Sequence, residues 1–304
     1  MRRSVVAIGN FDGVHTGHQQ LLRTAVEHAQ ELGTEREPLQ VIVVTFWPHP
    51  MSVVAPGHQP LLLTSLSDRI DLLRRYGADE VRVVQFTRDV AAWSPQKFVD
   101  TILGPLNPAV VVVGENFTFG NRAAGTPQMM REFGKGRFDV DIIHLVSIDS
   151  ERTCSSFVRS ALATGDVAAA ARHLGRLFRL SGVVVVGDQR GRELGFPTAN
   201  LPVAADLATP ADGVYAGWLR RLDQPSAIRM PAAISVGTNP TFDGVERRVE
   251  SYVLDRTDLE LYGINIAVEF VEHLRGQVRF GSIDELSEQM NKDVAATRVV
   301  LGID

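Results

Sequence analysis

The chain holds a single cysteine, Cys154, among 304 residues, so neither an internal disulfide framework nor a multi-cysteine metal site is available to it. Positive charge is not in excess: 31 Lys and Arg against 36 Asp and Glu give a formal net charge of −5. No basic field therefore exists to hold nucleic acid or an acidic membrane. Long hydrophobic runs are missing too. M-R-R-S leads straight into a short apolar segment, with nothing of the length of a signal peptide or membrane span, so the cytoplasm is the expected compartment. Internal repeats, low-complexity tracts, long charge runs and a G-x-x-x-x-G-K-[ST] phosphate loop are also absent. What remains is an ordinary globular composition, 44% hydrophobic and 22% charged, long enough for two domains with their own cores and suited to small ligands.

The stretch around which the chain is organised is Gly9 to His18, G-N-F-D-G-V-H-T-G-H, between an apolar strand-like run (Val5–Ile8) and an amphipathic helical run from Gln19. A strand ending in a glycine-rich turn that opens a helix aims backbone N–H groups and the positive helix end at one spot, which suits a phosphate. Gly9, Asn10, Phe11, Gly13 and Gly17 frame that spot. His15 and His18, three residues apart, can both face it and offset charge on a leaving pyrophosphate. The same two histidines also read as turn and cap residues. In its strand–loop–helix setting the string resembles the nucleotidyltransferase superfamily.

From Ser4 to about Leu145, strand-like runs (Val5–Ile8, Val41–Phe46, Val81–Phe86, Ala109–Val113, Val140–Leu145) alternate with helical ones. The helical runs are Gln19–Leu32, Asp68–Tyr76 behind a Ser67 cap and Pro95–Leu103 behind a Ser94 cap. This β-α-β alternation predicts a doubly wound parallel sheet with ligands beyond the carboxyl ends of the strands. Two loops at those ends carry unusual residues. Thr45–Pro50 combines Phe46 and Trp47 with Pro48, His49 and Pro50, and serves either as flat apolar surface for a ligand or as core and crossover. Gly114–Gly120 interleaves Asn116 with Phe117 and Phe119, suiting a heteroaromatic ring with a polar tail, or else a plain glycine-rich loop. Further on, Ser155 and Ser156 open a helix running to Ala163 that carries Arg159 one turn in; the hydroxyls are caps, or with the guanidinium they clamp phosphates.

The pattern changes after the helical segment Asp166–Leu174. Beyond it, segments to about Val271 are strand-like with Gly and Pro turns, and the long helix is Ile283–Val300, which places a boundary at 177/178. Gly187, Arg190, Gly191 and Gly195 form a basic glycine-rich loop that lets backbone approach phosphates or simply turns a hairpin. Thr198 and Asn200, two apart on an extended chain, point to one side and can ligate Mg²⁺ through oxygen. In the strand Arg248–Leu254, Glu250 shares a face with Tyr252 and Leu254 while Ser251 lies opposite. A carboxylate on an apolar face is a candidate base, or an edge residue reaching water.

Gly9–His18, Thr45–Pro50, Gly114–Gly120 and Arg152–Arg159 occur in the order seen in the adenylyltransferase module of bacterial bifunctional riboflavin kinase/FAD synthetases. Cys154, Ser155 and Ser156 stand where that family usually reads S-S-T. The order G-x-x-x-G-x-x-x-G-F-P-T-A-N-L from Gly187, then G-V-Y, N-P-T-F, V-E and L-Y-G, resembles the riboflavin kinase module of the same family. The resemblance implies an α/β doubly wound nucleotidyltransferase domain (1–177) followed by a β-barrel riboflavin kinase domain with a C-terminal helix (178–304). It implies phosphorylation of riboflavin to FMN, with Glu250 as general base and Thr198 and Asn200 on Mg²⁺. It also implies adenylylation of FMN to FAD, with ATP as co-substrate in both steps, His15, His18, Ser155, Ser156 and Arg159 at the phosphates, and Asn116, Phe46, Pro48 and Phe119 at the flavin. One live domain alone, or a flavin-binding regulatory or storage protein, would use the same pockets, and self-association is left open.

Overall fold

The computed structural model describes residues 3–144, 146–148, 150–187, 195–224, 228–241, 244–256 and 258–304, with the backbone alone for 239–241 and 244–246. Two compact units divide the chain, residues 1–155 and 156–304.

The first unit is built on five parallel strands, β1 (Ser4–Ile8), β2 (Gln40–Trp47), β3 (Glu80–Gln85), β4 (Pro108–Gly114) and β5 (Asp139–Ile143), in the order β3-β2-β1-β4-β5. Successive side chains of a strand point to opposite faces, so the Val-rich runs of β1, β2 and β4 bury both. Val5, Ala7, Val41, Val43, Val110 and Val112 join one core with Leu21, Leu22 and Ala25 of helix α1 (Thr16–Leu32) and Leu72 and Leu73 of α3 (Leu66–Arg75). Val6, Ile8, Ile42, Val44, Val111 and Val113 join the other, with Phe98, Leu103 and Met130. Those three come from α5 (Pro95–Phe98), which continues as a π-turn over Val99–Leu103, and from α6 (Pro127–Gly134). The chain winds outward from β1 to β3 and then crosses to β4, so the loops after β1 and β4 flank the point where strand order reverses. Short helices α2 (Pro50–Val54) and α4 (Arg88–Ala91) follow β2 and β3.

Among the boundaries that differ from expectation are three in this unit. Helix α1 begins at Thr16 with His15 as its N-cap, so Gly17 and His18 lie in the first helical turn rather than in the loop. Helix α3 is capped by Ser65, whose Oγ accepts from the Asp68 backbone N–H at 3.1 Å, and not by Ser67. Strand β5 stops at Ile143, the expected end at Leu145 lying outside the described residues, and two short paired strands, β6 (Ser147–Ile148) and β7 (Glu151–Arg152), follow it.

The second unit carries α7 (Ser155–Ala163) and α8 (Val167–Leu174), the latter capped by Asp166 and closed by Gly175 at φ 65°. An antiparallel sheet follows: β8 (Phe178–Val183), β9 (Thr198–Pro202), β10 (Gly213–Arg221), β11 (Met230–Thr241), β12 (Gly244–Val253) and β13 (Asn265–Arg275), ordered β8-β13-β10-β11-β12-β9. The segment just after β8 meets β9 through a single bridge in which Val185 N–H donates to the Asn200 carbonyl at 2.9 Å, so the sheet is curled into a half-barrel. Helix α9 (Ile283–Leu301) packs on β10, β11 and β13.

Candidate active sites

The loop after β1 is held in a conformation that the residues themselves disfavour. Phe11 (φ 52°) and Val14 (φ 41°) join Gly13 (φ 79°) in the left-handed region, a rare setting for a β-branched side chain. Such backbone persists only where surrounding contacts over-determine it, and it clusters at functional sites. Here the contacts converge on Asp12, which is 1% exposed. Its carboxylate accepts from the Leu63 N–H at 3.0 and 3.1 Å, the Thr64 N–H and hydroxyl at 3.3 Å each, and Arg69 Nη2 at 3.2 Å. The Asp12 carbonyl takes a bond from Ser155 Oγ at 2.9 Å.

Beyond this turn the two histidines come together. Their rings stack with centroids 3.7 Å apart and an interplanar angle of 18°, and Phe11 tilts against His18 at 5.1 Å. His15 Nδ1 accepts the His18 backbone N–H at 3.3 Å, so His15 is a cap, and the stack places the two rings side by side. Gly17 leaves room for this pair, since a Cβ there would lie 3.2 Å from the His15 ring. Gly9 and Asn10 line the outer side of the turn, Asn10 exposed and Gly9 half-buried. Thr16 Oγ1, at the first helical position, is buried with no hydrogen-bond partner among the described residues.

Three expected ligand surfaces turn out to be core. Phe11 is fully buried and belongs to the core beneath the turn, because the left-handed backbone points its ring inward. Phe46 packs on Phe86 and Phe98 at 5.9 and 6.1 Å and is 4% exposed. Phe119, also 4% exposed, lies between Phe98 and Phe117. A β2 end and a β4 loop that share one aromatic cluster leave these rings no open face for a flavin. Pro48 of the first loop and Glu115, Asn116 and Thr118 of the second are exposed. Ser156 is exposed and Arg159 half-buried on α7, in the second unit.

In the barrel, register brings the predicted residues together. Glu250 on β12 pairs with Asn200 on β9 and with Ser235 on β11, and directly opposed residues share a face. Strand β12 is interior to the sheet, so the reading of Glu250 as an edge residue is overturned. Thr198, Ser235, Glu250, Tyr252, Arg275 and Gln277 line a cavity of about 230 Å³, closed on its apolar side by Phe280 and by Leu286, Met290 and Val294 of α9. Ser251 faces the other way and is buried, while Leu254 lies one residue past the strand end. Asn200 Nδ2 lies 3.4 and 3.5 Å from the Thr198 carbonyl and hydroxyl, leaving Asn200 Oδ1 buried without a partner among the described residues. An oxygen so placed beside a hydroxyl fits a hard cation such as Mg²⁺. No group of three or more His, Cys, Asp and Glu among the described residues is placed to share a metal, so such a cation would draw its other ligands from phosphate and water. Gly187 lies against this amide: a Cβ there would fall 2.4 Å from Asn200 Oδ1. Gly195 is exposed at φ 82° with open space around it, a turn requirement alone. Arg190 and Gly191 lie outside the described residues.

Two ion pairs went unseen in the sequence. Arg69 with Asp12, and Arg275 with Asp293, join residues on different elements. Arg275 Nε and Nη2 donate to the two Asp293 oxygens at 2.8 and 2.6 Å, fastening α9 over the barrel cavity. The D in F-D-G and an Arg at helical spacing from Leu72 and Leu73, on the apolar face of an amphipathic helix, were the available signals. On the other side of the sheet, Tyr215 is buried and donates to the Ala211 carbonyl at 2.6 Å. Burial and then nearby Asp212 push its phenol up to about 12, against a smaller opposite effect of Arg247.

The FAD synthetase family profile matches residues 1–157 and the riboflavin kinase profile residues 174–301. A bifunctional riboflavin kinase/FMN adenylyltransferase of Escherichia coli K12 is 36% identical over 98% of this chain and 93% of its own length. Its Bacillus subtilis counterpart is 34% identical over 96% and 90%. A crystal structure from Streptococcus pneumoniae, described as a macrolide-efflux protein, superposes with a TM-score of 0.86 at 32% identity over 98% of this chain and 94% of that one. Among the described residues no helix is long and apolar enough to cross a membrane. With both profiles matched in order and relatives aligned along nearly the whole length, the chain belongs to the bifunctional riboflavin kinase/FMN adenylyltransferase family.

Proposed function

We propose that the chain makes both flavin cofactors: it phosphorylates riboflavin to FMN with ATP in the barrel and adenylylates FMN to FAD with a second ATP in the parallel-sheet unit. The observation that carries the reading is a candidate base on an interior barrel strand, Glu250 beside the unsatisfied Asn200 amide, in the same chain as a stacked histidine pair at a strand–loop–helix turn. The functional boundary is taken at 177/178, near the start of the riboflavin kinase match.

In the kinase step Glu250 accepts the proton of the ribityl 5′-hydroxyl as its oxygen attacks the γ-phosphorus, and ADP leaves. Thr198 and Asn200 would hold Mg²⁺, which would offset charge on the transferring phosphate. The backbone around Gly187, Arg190, Gly191 and Gly195 approaches the nucleotide, as the sequence resemblance implies. In the second step a phosphate oxygen of FMN attacks the α-phosphorus of ATP, the α–β bridge bond breaks, and pyrophosphate departs. No covalent enzyme intermediate is needed, so His15 and His18 act by charge stabilisation, with the N–H groups opening α1 beside them. Gly9, Asn10, Gly13, Gly17 and Ser155 shape that phosphate site, and Pro48 and Asn116 offer exposed surface for the flavin. The roles given to Ser156 and Arg159 rest on the sequence resemblance alone. The ligands are small molecules rather than nucleic acid, in keeping with a net charge of −5, and the expected compartment is the cytoplasm.

The test is to incubate the protein with riboflavin, ATP and Mg²⁺ and resolve riboflavin, FMN and FAD chromatographically over time. FMN rising first and FAD following is the expected course. FMN alone would remove the second activity, and no product from riboflavin or from supplied FMN would point to a flavin-binding protein without turnover.

A further inference from the structure

The Asp12–Arg69 pair is among the most completely buried charged groups described, with side-chain exposures of 2% and 0%. Its bonds do not simply fill space. Arg69 uses its fork on both sides of Phe11, Nη2 donating to Asp12 Oδ1 at 3.2 Å and Nη1 to the Asn10 carbonyl at 3.1 Å. Nε reaches the Thr64 hydroxyl at 3.4 Å; that hydroxyl lies 3.3 Å from Asp12 Oδ1 and accepts the Gly13 N–H at 3.3 Å. The Asn10 carbonyl takes a further bond from Thr45 Oγ1 at 3.0 Å, and the guanidinium lies 5.6 Å from the Trp47 ring. One side chain on α3 thereby gathers the strained turn after β1, the end of β2 and the segment before α3.

A buried ion pair is a weak way to stabilise a fold, since well-packed apolar residues of like volume usually do as well. It is a strong way to specify geometry, because a guanidinium fork has fixed donor directions. The geometry specified here is the left-handed run Phe11, Gly13 and Val14 that leads directly into His15 and the first turn of α1. We propose that Arg69 is a positioning residue for FMN adenylylation: through Asp12 and the Asn10 carbonyl it holds the turn that presents the stacked pair His15 and His18. The inference rests on the reading of those histidines as the charge-stabilising groups.

The test uses the full chain, whose kinase site serves as an internal control on the same preparation. Arg69→Lys keeps the charge and loses the fork. It is expected to lower kcat for FAD formation by about 10²-fold, the cost of a displacement near 1 Å, with KM values for ATP and FMN and the riboflavin phosphorylation rate near wild type. Added to His18→Ala, the same substitution is expected to change little, since the group it positions is gone. A wild-type kcat for Arg69→Lys, or a loss that multiplies undiminished onto His18→Ala, overturns the proposal. Full FAD formation by His18→Ala alone overturns the histidine reading and the proposal with it, whereas failure of Arg69→Lys alone touches only the proposal. Should the Arg69 variants not fold, Thr64→Val removes just the hydroxyl shared with Asp12 and Arg69; a lowered kcat with intact kinase activity supports the proposal, and an unchanged kcat overturns it.

Discussion

Under the proposed function, removing His18 and removing Glu250 are expected to separate the two activities. His18 stacks on His15 in the first turn of α1, where the proposed role is to offset charge developing on pyrophosphate. His18→Ala is therefore expected to lose FAD formation while keeping FMN formation, read from the same chromatographic time course. Equal loss of both would contradict separate sites. Glu250 sits on an interior strand between Asn200 and Ser235, facing the cavity, and Glu250→Gln keeps its size while removing the base. Riboflavin phosphorylation should fall by roughly 10²–10⁴, the usual worth of a positioned base, while supplied FMN is still adenylylated. Unchanged kinase turnover would take Glu250 out of the mechanism. Both residues stand out as candidates in the sequence, because a histidine pair in a glycine turn and a carboxylate in a strand are local patterns; the structure adds the ring stack and the place of Glu250 on the cavity wall. For Phe46 and Phe119 the sequence leaves a ligand surface and a structural role both open, because local pattern identifies an aromatic near a strand end but not which way its ring turns.

At the scale of elements, the barrel strand β10 offers a pH test. Tyr215 lies on the face of β10 away from the cavity, buried and bonded to the Ala211 carbonyl, with its phenol raised to about 12 by burial and by Asp212. An unfolded tyrosine ionises near pH 10, about the model-peptide value. Between about pH 10 and 12 the unfolded chain has given up this proton and the folded barrel has not. The stability that Tyr215 contributes is therefore complete below about pH 10 and is lost as pH rises through 12. Phenolate absorbance during an alkaline titration should show one of the four tyrosines ionising late, and Tyr215→Phe should abolish that late phase. A titration of wild type with no late phase would remove the effect. Helix limits were readable to within a few residues, since capping serines and apolar spacing are local; Ser94 caps α5 as expected. The slip from Ser67 to Ser65 at α3 has a physical origin, because two serines two residues apart offer equivalent caps and the Asp12 loop takes the Leu63 and Thr64 N–H groups just ahead of the first.

For the whole molecule, the open question is where the second module begins. Helices α7 and α8 belong to the compact unit of residues 156–304, and α8 packs on β8 and β13 with Val167, Ala170 and Leu174 buried. A fragment starting at Ser156 and one starting at Phe178 should both phosphorylate riboflavin. The longer is expected to melt at the higher temperature, because the shorter exposes the barrel surface that α8 covers. Equal melting temperatures would make 177/178 the physical as well as the functional boundary. The sequence by itself determined that there are two modules, a parallel α/β one and a mostly antiparallel one, and where the motif loops lie, because strand and helix periods and motif spacing are properties of neighbouring residues. Only the tertiary structure decided that Arg69 meets Asp12, that Arg275 meets Asp293, and that Val185 bridges to Asn200. Those partners stand far apart in the chain, and whether they touch depends on how whole elements stack, which no local pattern records.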